Sequence, residues 1–143
     1  LTLPLVFAYG CAGGAAEVEE VTAAFVEAVK NRDSARIEGL MDWERYYTHG
    51  RESGGTEGEV KPEDVEAQKA LLLTVLAKDS GLALRYRTAE HTVKNISIDG
   101  DEASSEVLQV DRASGETRLI KFLLAKSDGW KIYRFSTEEI GES

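Results

Sequence analysis

From Glu17 the apolar positions recur with the period of a helix. Val18, Val21, Phe25, Ala28 and Val29 fall at i, i+3, i+7, i+10 and i+11, with Glu17, Glu19, Glu20 and Glu27 on the flanks. The segment KNRDS ends this first helix, and Asp33 or Ser34 caps a second, shorter one that turns Ile37, Leu40 and Met41 inward together with Trp43. The stretch THGRESGGTEGEVK, Thr48 to Lys61, is polar, glycine-rich and without period, which predicts a loop. Pro62 suits the first turn of a third helix, where Glu63 and Asp64 meet the positive end of its dipole. Val65, Leu72 and Val75 or Leu76 form its buried stripe, Gln68 and Lys69 lie outside it, and Gly81 is its expected stop.

Beyond that point the period changes to two. HTVKNISI, EASSEVLQV, ETRLIKFLLAK and WKIYRFS read as strands, separated by DGDE, DRASGE and SDG. These connections are short and hold Asp-Gly and Ser-Gly pairs, so the strands are expected to pair as an antiparallel meander. LALRYRTA is either a further strand or a helix-to-sheet connector. The predicted fold class is therefore α+β: three N-terminal helices packed against a curved antiparallel sheet of four strands, or five if LALRYRTA joins it.

Two segments carry a resemblance. VTAAFVEAVKNRDSARIEGLMD resembles the opening helix pair of the NTF2-like (cystatin-like cone) superfamily, and GWKIYRFS is similar to the closing strand of its small bacterial lipoprotein branch. The resemblance spans roughly Glu17 to Ser136 and implies an NTF2-like domain over residues 17–143, with a pocket between sheet and helices.

The head of the chain, LTLPLVFAYGCAGG, has a different character. Leu1 to Tyr9 is too short to span a bilayer but has the length of the apolar region of an export signal. Ala8, Tyr9 and Gly10 before the unique Cys11 resemble the lipobox of bacterial lipoprotein precursors. That likeness implies that residues 1–10 are a signal remnant that is removed, that Cys11 carries the lipid, and that residues 11–16 form a flexible tether. The expected location is the bacterial cell envelope, lipid-anchored and facing the periplasm or the cell exterior. The membrane is then the first partner. A net charge of −9 argues against nucleic acid as a second, because the phosphate backbone repels it.

Signatures of chemistry are scarce. GRESGGT lacks the lysine of a phosphate-binding loop, and His49 and His91 are far apart with no ligand spacing around them. No catalytic residue, metal site or cofactor is assigned from the residues. What stands out is an aromatic and polar group: Trp43, Tyr46, Tyr47 and His49 after the second helix, Tyr86 entering the sheet between Arg85 and Arg87, and Trp130, Tyr133 and Phe135 closing it. Trp43, Tyr46, Tyr47, His49 and Tyr86 are the candidate ligand-binding residues.

The readings are ordered accordingly. First comes a non-catalytic module that holds a small apolar or amphipathic ligand. A protein-interaction or envelope-assembly factor follows, using the sheet face and able to form a homodimer through it. Last is a cone-type isomerase or dehydratase, with Tyr46, Tyr47 or His49 moving protons.

Overall fold

A computed structural model describes residues 14–53, 60–78 and 81–142. Among these the chain forms α1 (Ala15–Lys30), α2 (Ser34–Leu40), α3 (Trp43–Ser53), α4 (Pro62–Ala77) and α5 (Gly81–Thr88). Strands β1 (Ala89–Asp99), β2 (Glu102–Asp111), β3 (Glu116–Lys126) and β4 (Trp130–Glu142) follow, antiparallel and in the order β1-β2-β3-β4. The α+β class and the meander are as expected. Residues 1–13 and the glycine-rich stretch 54–59 lie outside the described residues, so Cys11 and the core of the predicted loop do too.

Among the described residues five helices take the place of the expected three. Asp42 explains one of the additions: its carbonyl accepts from Tyr46 N at 2.9 Å and its Oδ1 accepts from Arg45 N at 3.1 Å. This N-cap starts α3, which runs to Ser53 through residues expected in the loop. LALRYRTA is neither strand nor connector. Its residues up to Thr88 belong to α5, which Gly81 opens rather than ending α4, Ala89 starts β1, and among the described residues no fifth strand exists. Arg87 secures this arrangement by donating to the Leu76 and Lys78 carbonyls, at 2.8 and 2.9 Å, at the end of α4. Ala15 and Ala16, expected in the tether, form the first turn of α1.

Cross-strand partners share a face of the sheet, so the register lays out the helix-facing side as rows. Ile98, Ala103, Leu124 and Ile132 form one row at the turn end. Further along come Ser105, Phe122 and Phe135, and then Val93, Val107 and Ile120. Helix α1 lies over these rows. Phe25 sets its ring 5.6 Å from Phe122 and 5.3 Å from Phe135, and Thr22 shares a buried hydrogen bond with Ser105 at 2.7 Å. At the start of α1, Gly14 sits so close to Trp130 that a Cβ would lie 2.9 Å from the indole Nε1. Met41 adds a parallel bridge to Ile132 on the outer edge of β4, and α3 continues from there along that strand.

Candidate functional site

A cleft of about 570 Å³ opens between α3 and the turn end of the sheet. Its walls come from Asp42, Glu44, Arg45, Thr48 and His49 on the helix side, and from Glu102, Ser127 and Tyr133 on the sheet side. Helical spacing puts Asp42, Arg45 and His49 on one face, at i, i+3 and i+7. A register shift between Leu123 and Leu124 delivers Tyr133: Leu123 pairs with Arg134 and Leu124 with Ile132, so Tyr133 is the extra residue of a β-bulge. Such a bulge re-aims the side chain it carries. Glu102 arrives from the β1–β2 hairpin, where Gly100 takes the left-handed φ of 65° that the tight turn needs.

These side chains form one network. The Tyr133 hydroxyl donates to Glu102 Oε1 at 3.0 Å, and Arg45 Nη1 donates to Glu102 Oε2 at 3.1 Å. The Arg45 guanidinium lies 5.2 Å from the Tyr133 ring centroid, within cation–π range. His49 meets the same ring edge-on at 5.5 Å, and its Nδ1 is buried without a hydrogen-bond partner. Burial raises the Tyr133 pKa, helped by the hydrogen bond and charge of Glu102 and opposed by Arg45. The phenol therefore stays a donor at neutral pH and holds the Glu102 carboxylate in place. Three carboxylates (Asp42, Glu44, Glu102) face one guanidinium, so the cleft carries an excess of negative charge.

The expected ligand-binding residues are dispersed by the structure. Trp43 and Tyr46 stand edge-to-face at 5.8 Å and pack against the core, with the Trp43 indole donating to the Glu38 carbonyl at 3.0 Å. Burial raises the Tyr46 pKa against the opposing charge of Arg134. Tyr47 is half-buried and does not line the cleft. Of the five, His49 alone lines it. Tyr86 is fully buried on α5 and packs in the core, with its ring 6.4 Å from Phe25.

Arg45 and Glu102 were not singled out by the sequence reading, because 57 positions separate them. One local signal existed: Asp42 in MDWER is a helix-capping residue placed to start α3 and so to aim Arg45 and His49 together. Among the described residues no group of three or more His, Cys, Asp or Glu side chains is arranged to hold a metal ion. No described helix is long and apolar enough to cross a membrane. Comparison with known protein families, curated proteins and solved structures finds no match to the chain.

Proposed function

We propose that the chain is a non-catalytic binding module of the bacterial envelope, with an NTF2-like fold and a cleft beside α3 that holds a small, positively charged polar molecule. The observation that carries this reading is the pairing of shape and charge: a cleft of about 570 Å³ in which Asp42, Glu44 and Glu102 oppose only Arg45. Tyr133 and Arg45 fix the two oxygens of Glu102, which preorganises that carboxylate and reduces the ordering cost of binding. An amine entering the cleft would compete with Arg45 for Glu102 and find further acceptors at its rim. The apolar ligand expected from the aromatic residues has less to support it, because Trp43, Tyr46 and Tyr86 are spent on packing.

The lipobox-like head supports an envelope address. Gly14 is held against Trp130 only three residues after Cys11, so a lipid on that cysteine would keep the body within about 10 Å of the bilayer surface. Interaction through the sheet is a second reading. Leu108 and Leu119 are cross-strand partners on the face away from the buried rows, and both are half-exposed with Val110 nearby.

Thermal denaturation with n-butylamine, and with butyrate as the charge-reversed control, tests the ligand class. The reading expects stabilisation that saturates with butylamine and is missing with butyrate. Equal behaviour of the two, or no effect from either, would reject it.

A further inference from the structure

A second, smaller cleft of about 270 Å³ adjoins the one beside α3. Glu44, in the first turn of α3, lines both, so its carboxylate stands where they meet. The other walls come from the start of α4. Lys61 is extended there, with φ −103° and ψ 138°, so Val60 and Pro62 fall on one side of the chain and Lys61 on the other. Val60 and Pro62 accordingly line the cleft, while Lys61 is exposed and is not part of the lining. Val65 and Glu66, at i+3 and i+4 from Pro62, share its face of α4 and complete the wall.

The two clefts differ in chemistry. The first offers a cation the acceptors Asp42, Glu44 and Glu102. Between Glu44 and Glu66 the second presents aliphatic surface from Val60, Pro62 and Val65, of which the two valines are half-buried. An ammonium group in that stretch would lose water without gaining a partner, whereas methylenes would leave water favourably.

At the far end stands a carboxylate with acceptor capacity to spare. Lys69 pairs with Glu66 at 3.4 Å but lies closer to Glu38, at 2.8 Å. The Glu38 hydrogen bond is also the largest cause of the raised Lys69 pKa. One ammonium therefore serves two carboxylates, which leaves this end of the cleft with an excess of negative charge.

The order along the surface is anionic, apolar, anionic, and it matches a chain of methylenes with an ammonium at each end. A cleft of about 270 Å³ is about 6–8 Å across, so a three-carbon spacer falls short of Glu66 and an eight-carbon spacer reaches it.

We propose that the ligand of the α3 cleft is a linear polyamine with a long aliphatic spacer: one ammonium is held by Asp42, Glu44 and Glu102, the methylenes lie on Val60, Pro62 and Val65, and a second ammonium meets Glu66. This rests on the cation-binding reading and adds to it the spacer and the second charge.

The test is an NMR titration of the ¹⁵N-labelled full chain with n-butylamine, trimethylenediamine and octamethylenediamine at neutral pH, where both diamines are dications. The Arg45 Nε–H reports on the first cleft, and the Val65 and Glu66 backbone amides report on the second. Octamethylenediamine is expected to shift all three along one saturation curve and to bind about tenfold more tightly than trimethylenediamine, which shifts Arg45 alone. Glu66→Gln should weaken octamethylenediamine about threefold, and Glu63→Gln, in the same turn of α4 but outside the lining, should leave it unchanged. Equal affinity of the two diamines, an unmoved Val65 and Glu66, or wild-type affinity of Glu66→Gln for octamethylenediamine overturns the inference. If n-butylamine still shifts Arg45 in that case, the cation-binding reading stands without the spacer. Silence at Arg45 with all three amines overturns that reading, and the inference falls with it.

Discussion

Arg45 on α3 and Glu102 at the start of β2 are 57 residues apart in the chain, yet Arg45 Nη1 lies 3.1 Å from Glu102 Oε2. Tyr133 receives the guanidinium on its ring and donates its hydroxyl to the other oxygen of the same carboxylate. The contact joins a helix that Asp42 starts, a hairpin that Gly100 closes and a bulge that turns Tyr133 out of register. The cleft exists because these three local devices converge.

The Tyr133 titration reports that convergence. Glu102→Gln removes the carboxylate charge and should lower the Tyr133 pKa, whereas Arg45→Ala removes an opposing charge and should raise it. Cζ-labelled tyrosine NMR against pH reads both shifts in opposite directions. Tyr133→Phe should cost about 1 kcal/mol in urea unfolding, the net worth of one hydrogen bond.

The strands were legible from the chain because a half-buried strand writes its faces into alternate positions. Ala103, Ser105, Val107 and Gln109 are buried while Ser104, Glu106, Leu108 and Val110 are not. Helix α1 was legible for the same kind of reason, through Val18, Phe25 and Val29. The two unexpected helices are short and carry little local pattern. What stabilises α5 is the bonding of Arg87 to α4, and what starts α3 is a single cap, Asp42. The aromatic residues were visible but their partners were not. Whether Tyr46 packs or lines a cleft depends on which distant segment meets it, and periodicity holds no such information. Tyr133 reaches Glu102 only because of a bulge, which no alternation pattern announces.

Gly14 is a close-approach position. A Cβ there would sit 2.9 Å from Trp130 Nε1 and 3.0 Å from Ile98 Cδ1. Gly14→Ala should destabilise by about 1–3 kcal/mol through overpacking, and at this N-cap position of α1 alanine is also the poorer residue. Chemical denaturation checks this, and an unchanged or raised midpoint would show that the start of α1 is not pinned to Trp130.

The buried pair Thr22 and Ser105 should behave as a unit. Thr22→Val leaves the Ser105 hydroxyl unmet in the core, which costs about 1–3 kcal/mol. Adding Ser105→Ala removes the stranded group and should recover part of the loss, so the double-mutant cycle is expected to show coupling of about 1 kcal/mol. Additive losses would mean that the two hydroxyls do not depend on each other.

His91 sets a pH dependence whose sign follows from its depressed pKa. An unfolded chain takes up this proton near pH 6.5, while the folded chain does so only near 4. Between those values the unfolded state binds more protons. The His91 contribution is therefore complete above about pH 6.5 and is lost as the pH falls toward 4. Urea midpoints of the wild type and His91→Gln should diverge less at pH 5 than at pH 7, and parallel curves would contradict the depressed pKa.

The central claim is that the cleft beside α3 binds a small cation through Glu102. The most direct measurement is a titration of the ¹⁵N-labelled full chain with n-butylamine at low salt, following the Arg45 Nε–H and the His49 ring. We expect saturable shifts at both residues, weakened about tenfold by Glu102→Gln and suppressed by high salt. Silence at Arg45 and His49, or shifts that Glu102→Gln leaves unchanged, would contradict it.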